Sequence, residues 1–415
     1  MHSLTGIRDE AGRGQRSIPA YPMSRAQGCP FDPPPGLSAL QADGPLAKVR
    51  LWDGSTPWLV TRYAEQRTLL ADPRVSADST HPGFPHVGAN LRERTTGERS
   101  FIRMDDPEHA RLRRMVTAPF AVRQVEAMRP GIQQIVDGLI DDLLAGPKPA
   151  DLVQAFALPV PSLVICQLLG VPYADHEFFQ RNSRLLINRD TPPEEGRKAQ
   201  DALITYLDDL VGDKLADPGD DLLSRLANER VRTGELTRRD LAAVGRLLLV
   251  AGHETTANMI ALGTLALLQH PAQLAALRDS QDPALAAGAV EELLRYLSIV
   301  HSGRRRLALA DIEIGGQVIR AGEGLIMAND IANRDELVFP SPDRLDVHRD
   351  ARQHVAFGFG VHQCLGQPLA RVELQVVYAT LYRRIPTLTL AAGLDEIPFK
   401  HDGLVYGVYK LPVTW

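Results

Sequence analysis

The chain has 415 residues, 44% hydrophobic and 23% charged, an ordinary globular composition and enough to bury roughly three quarters of the surface of the unfolded chain. Its 46 Lys and Arg against 51 Asp and Glu leave a net charge of −5, which gives no general attraction to nucleic acid or to anionic membranes. Three widely spaced cysteines, Cys29, Cys166 and Cys364, argue against a disulfide framework and for a reducing, cytoplasmic compartment.

The opening residues MHSLTGIRDEAGRGQRS lack the apolar core of a signal peptide, and no later run reaches the ~18 apolar residues of a membrane span. Residues 1–36 are polar and rich in Gly and Pro, ending in Pro33-Pro34-Pro35; they read as a mobile arm and extended lead-in, with Met23 as an alternative start. No linker follows, so residues 37–415 are expected to form one domain.

Runs from Ala47 to Leu51 and from Trp58 to Thr61 suggest a hairpin about Asp53-Gly54. Residues 76–101 are irregular, broken by Pro82, Gly83, Pro85, Gly88 and Gly97, and form a candidate lid. From 107 to 300 the pattern is almost wholly helical, with breaks at Gly146-Pro147, Gly170-Val171-Pro172, Thr191-Pro192-Pro193 and Asp217-Pro218-Gly219. β signals return at Asp311 to Gly316 and at Gly403 to Gly407. The fold class is mainly α with a small β part.

Four segments carry chemistry. Asp106-Pro107-Glu108-His109 reads as a capped helix start; His109 and Arg113 share a face, and on its own the segment is a basic exposed helix. A long helix is expected from Thr237 to His270, with Thr237 and Asp240 spaced as a capping box and Pro271 beyond. Its middle, Gly252-His253-Glu254-Thr255-Thr256, gives up helix stability between apolar stretches, as sites tend to do. A polar belt is the bland reading; a His-Glu-x-x-His zinc site is excluded because residue 257 is Ala.

Glu292 and Arg295 are spaced to pair on one helix. Finally, a Gly-rich loop from Phe357 runs through His362, Cys364 and Gly366 into a helix whose first turn holds Pro368. That places Cys364 beside free N–H groups that favour a thiolate. Cys166, within Leu163-Val164-Ile165, suits a buried structural cysteine instead.

Phe357-x-x-Gly-x-His-x-Cys-x-Gly resembles the haem-binding loop of the cytochromes P450, and Ala251-Gly-x-Glu-Thr-Thr resembles the oxygen-binding helix of that family. The resemblance implies the P450 fold: a triangular helical prism with a long central helix and short sheets. It implies haem b, with Cys364 as axial thiolate and Phe357 and Gly366 in its loop. His109, Arg113, His362 and Arg306 would hold the propionates, although Arg304 and Arg305 blur the register. Glu254 and Thr255 would relay protons to dioxygen.

Leu247, Ala251 and Val300 would look into the substrate cavity, whose other walls are expected in the 76–101 loop, the 176–200 helices, Ser298 to Ser302 and Leu404 to Tyr406. Glu292, Arg295 and Arg344 match a structural trio, and Leu345 stands where the family usually has Phe.

The implied activity is monooxygenation by O2, hydroxylation or epoxidation of a lipophilic small molecule. Soluble actinobacterial members that oxidise secondary metabolites such as macrolides or other polyketides, as in antibiotic biosynthesis, are the most similar in flavour. Electrons would come from NAD(P)H through a ferredoxin reductase and a ferredoxin, because no flavin or iron–sulfur segment is visible. A monomer that binds neither nucleic acid nor membrane is expected. Two other readings remain: a peroxide-dependent haem-thiolate enzyme, and a haem protein that only binds a small molecule.

Overall fold

A computed structural model describes residues 17–26, 28–93 and 100–415. The expected mobile arm falls largely in 1–16, and the tip of the candidate lid in 94–99, both outside the described residues. The lead-in is extended and packed: Arg50 N–H donates to Pro19 O at 2.8 Å, and the rings of Tyr21 and Phe31 are buried.

The central helix, Arg238–Gln269, organises the molecule. At 32 residues it runs about 48 Å. It begins as the spacing predicts, with Asp240 N–H donating to the Thr237 hydroxyl at 3.0 Å and Thr237 N–H donating to the Asp240 carboxylate at 2.9 Å. The helices Pro159–Leu169, Pro193–Ala216 and Gln367–Arg384 pack against it, and Val122–Ala145 packs on the last of these. Gly170, in the left-handed region at φ 70°, ends Pro159–Leu169 at one of the expected breaks.

Gly252 has a packing cause. A Cβ there would lie 2.7 Å from Ile165 Cγ1, so the missing side chain lets the Pro159–Leu169 helix approach. The central helix passes Gly252 to Thr256 without interruption; stability given up in the sequence is recovered as close helix contact.

Sheet structure is minor. The first hairpin pairs Leu46–Lys48 with Trp58–Val60, shorter than expected, around Gly54 at φ 82°. Gly324–Met327 and Arg304–Ala308 extend it, with Val75–Ser76 at the edge. Ile312–Ile314 and Gln317–Ile319 form the second expected hairpin. The C-terminal β signal is misplaced: residues 403–407 make no strand, and Pro412–Thr414 instead pairs with Ala150–Asp151 and Thr389–Leu390. Val405 and Tyr406 are buried through their side chains, so their apolarity reflects core packing.

Among the described residues no single helix is long and apolar enough to cross a membrane. The central helix passes that test only jointly with Pro271–Asp279, across a 109° bend, and most of its residues are buried in this protein's own core.

Candidate active site

Cys364 lies in the loop before the helix Gln367–Arg384, with Gly366 at the N-cap and Pro368 in the first turn. Its N–H donates to Phe357 O at 2.9 Å, closing the loop on itself. The sulfur opens onto an internal cavity of about 100 Å³ lined by Thr255, Val300, Arg304, Phe357 and Ala370 among others. Burial raises the Cys364 thiol above its ordinary range, while the Gly366 N–H and the guanidiniums of Arg304, Arg113 and Arg371 pull it down. The expected thiolate-favouring groups are therefore in place, and a metal cation held at the sulfur would favour the thiolate further.

Arg371 fixes the loop from behind. It lies over the Phe357 ring at 4.7 Å and donates to Glu291 at 2.6 and 3.0 Å. Gly358 and Gly360 both sit at positive φ, 76° and 73°, and a Cβ on Gly360 would meet Leu70 O at 2.2 Å. The Gly-rich pattern is thus required at this loop by backbone conformation and by close approach.

A cluster of basic groups borders the same site. The helix Glu108–Thr117 presents His109 and Arg113 on one face. Its start is held by Asp106 rather than by a side chain at the cap position: Asp106 accepts from Ala110 N–H at 3.1 Å and lies 3.0 Å from His109 Nδ1. The rings of His109 and His362 are 4.0 Å apart. Arg113 donates to Gln363 O at 2.7 Å. Burial, then Arg306, His109 and Arg113, push His362 down to about 3, so it is neutral at physiological pH.

Arg304 and Arg306 alternate on one strand and so share a face. Burial pulls each down to about 10, which leaves both cationic. Arg304, which the sequence left as a rival to Arg306, lines the Cys364 cavity and donates to Ala356 O at 2.7 Å. Strand alternation was the signal available for it. Three buried polar atoms here, His109 Nε2, His362 Nδ1 and Arg304 Nη1, have no partner among the described residues. Unpartnered buried polar atoms are costly, and carboxylates such as haem propionates would satisfy them. The residues present fit the group.

Across the cavity, Thr255 donates its hydroxyl to Ala251 O at 2.8 Å. Thr255 also lines a second cavity of about 210 Å³, with Leu247, Ala251, Glu254, Leu186 and Leu404. Thus Leu247, Ala251 and Val300 all reach cavity walls, divided between two cavities that share Thr255 as a lining residue. Glu254 is 3% exposed, with an oxygen 3.6 Å from His253 Nε2, an electrostatic contact rather than a hydrogen bond. Burial pushes its carboxyl up, but His253, Lys400 and Arg184 bring it net below its usual range.

Glu292 and Arg295 are fully buried and paired through two hydrogen bonds, 2.7 and 2.9 Å. The third member is not Arg344. Arg349 Nε reaches Glu292 at 3.2 Å, whereas the Arg344 guanidinium pairs with Asp346 near the surface and contributes only its backbone carbonyl to Arg295. The chain turns between the two arginines, and only Arg349 returns to the helix Pro283–Leu297. Leu345 is buried at 2%, so the smaller side chain still fills a core position. Cys166 is buried, and desolvation pushes its thiol up to about 12, as suits a structural cysteine.

The family model for cytochrome P450 matches residues 194–388. Cytochrome P450 GfsF of Streptomyces halstedii is 60% identical over 98% of both chains, and its crystal structure superposes with a TM-score of 0.90 over 96% of this chain and 100% of that one. The mycinamicin VIII C21 methyl hydroxylase MycCI of Micromonospora griseorubida, crystallised with mycinamicin VIII, is 44% identical with a TM-score of 0.90, over 96% of this chain and 100% of that one. The 20-oxo-5-O-mycaminosyltylactone 23-monooxygenase of Streptomyces fradiae is 45% identical over 98% of this chain and 94% of its own. With the cysteine loop, the basic cluster and the central helix arranged around one cavity, the chain belongs to the cytochrome P450 family and is a haem-iron monooxygenase.

Proposed function

We propose that the enzyme hydroxylates or epoxidises a lipophilic secondary metabolite of the macrolide or wider polyketide kind, using haem b and electrons from NAD(P)H through a ferredoxin reductase and a ferredoxin. The observation that carries this reading is that Cys364 and Thr255, on separate elements, line one mostly apolar cavity. The names of relatives that act on macrolides support the substrate class. The sequence expectations of a cytoplasmic monomer and of one domain over residues 37–415 belong to the same reading.

When bound there, the haem supplies dioxygen binding and reductive O–O cleavage. Cys364 Sγ would hold the iron, while His109, Arg113, His362, Arg304 and Arg306 would hold the propionates. The chain's own contribution to turnover would be proton handling: Thr255 Oγ1, now donating to Ala251 O, would offer its proton to a ligand in the cavity, and the Glu254 carboxylate would resupply it. The apolar walls orient substrate and exclude bulk water.

The reduced, carbon monoxide-treated protein is expected to show the strongly red-shifted Soret band of a thiolate ligand, lost in Cys364→Ala. Survival of the band in that variant overturns the ligand assignment. A pyridine haemochrome spectrum identifies the porphyrin. Turnover with peroxide and none with an NAD(P)H redox chain overturns the electron route.

A further inference from the structure

The second cavity carries an unexplained charge. Two of its wall residues are arginines: Arg103, just after the candidate lid, and Arg246, one residue before Leu247 on the central helix. Both are half-buried in the cavity wall, and desolvation lowers both pKa values. Neither makes a salt bridge among the described residues. Arg103 is also the charged group that acts on Arg246, so two like charges share one cavity wall. Arg246 Nε and the nearby Ser100 Oγ are buried with no hydrogen-bond partner.

Glu254, the carboxylate of the same wall, is eight residues along the helix from Arg246, about 12 Å away and too far to neutralise it. Guanidinium stays protonated at any physiological pH. Buried charges are ordinarily paired, because an uncompensated one is expensive. A cavity wall that keeps two guanidiniums without a salt bridge among the described residues, beside an unsatisfied hydroxyl, offers complementary chemistry to an anion that arrives with the ligand.

We propose that Arg103 and Arg246 bind a carboxylate on the substrate. This rests on the oxygenase reading above and narrows it to acid-bearing lipophilic molecules. Arg246 and Thr255 are nine residues apart on one straight helix, which sets the acid group on the order of 13 Å from the oxidised carbon. The planar fork of Arg suits a carboxylate through paired N–H donors.

The test uses purified holoenzyme and two probes of one chain length, dodecanoate and 1-dodecanol, with binding followed by the Soret shift. Dodecanoate is expected to bind roughly tenfold to hundredfold more tightly than the alcohol, from charge-assisted hydrogen bonds. In the Arg103→Gln/Arg246→Gln double variant that ratio falls to about one, while the alcohol's Kd stays put. The ligand-free double variant is also expected to melt no lower than the native protein, since it loses unpaired buried charge. A clear drop in Tm would mean that the arginines are structural, and would overturn the proposal. A native protein that gives the thiolate-type carbon monoxide band and shifts with dodecanol, yet shows no preference for the acid, overturns acid recognition and leaves the oxygenase reading standing. Absence of that band overturns the oxygenase reading itself.

Discussion

Thr255 spends its hydroxyl proton on the carbonyl oxygen of Ala251, 2.8 Å away and one turn earlier on the same unbroken helix. The bond is local and weak enough to exchange, contributing about 1 kcal/mol. The hydroxyl is therefore available to a ligand in the cavity without any rearrangement of the fold.

Thr255→Ala should accordingly leave stability within about 1 kcal/mol of native while separating electron use from product. NAD(P)H consumption is expected to continue, with peroxide release raised and product per NAD(P)H down roughly tenfold, the low end of a general acid–base contribution. Stoichiometry of NAD(P)H, peroxide and product checks it. Unchanged coupling removes Thr255 from the proton route.

Arg349 and Arg344 provide a sharp contrast. Arg349→Ala takes one charge-assisted hydrogen bond from the fully buried Glu292, which keeps its pairing with Arg295, and should destabilise by about 1.5–3 kcal/mol. Arg344→Ala removes a side chain that is 72% exposed and should stay within about 0.5 kcal/mol. Chemical denaturation of the two variants side by side decides between them.

Glu291 predicts a pH dependence. Burial pushes its carboxyl up, but His354 and Arg371 overcome this and hold it at about 2, against an ordinary value of 4.5. A depressed carboxylate stabilises above its unfolded pKa, and the contribution is lost as pH falls from 4.5 toward 2. The amount is on the order of 3 kcal/mol. Glu291→Gln should therefore be less stable than native at pH 7, with the gap shrinking on acidification. A gap that does not change with pH would show that the Arg371 pairing adds nothing.

Gly263 and Tyr378 form a steric lock between the central helix and the cysteine helix. A Cβ at Gly263 would sit 2.0 Å from Tyr378 Oη, so Gly263→Ala should cost about 1–3 kcal/mol through overpacking, although Ala is the better helix former. Adding Tyr378→Phe removes the clashing oxygen and is expected to recover part of the loss. A double-mutant cycle on thermal unfolding reads this directly.

Several features were legible because they depend on neighbours in sequence. The reciprocal Thr237–Asp240 cap, the Glu292–Arg295 pair and the left-handed turn at Gly54 are all set within four residues. So is the loop that carries Cys364 to a helix start. Backbone geometry alone brings such groups together, and a one-dimensional pattern records it.

Other assignments depended on where distant segments meet, and there the sequence alone was insufficient. Which later arginine reaches Glu292 and why Gly252 is bare follow from packing across long sequence separations. Residues 403–407 looked like a strand because buried side chains in a loop and in a sheet share the same apolarity. Nothing in the one-dimensional pattern marks Arg246; the fold puts it on the same cavity wall as Arg103, and neither makes a salt bridge among the described residues. By itself the sequence determined the Cys364 loop and the helix beside it, since both are local constructions. Only the tertiary structure decided what the cavity asks of its substrate, because a cavity is made of residues that meet in space alone.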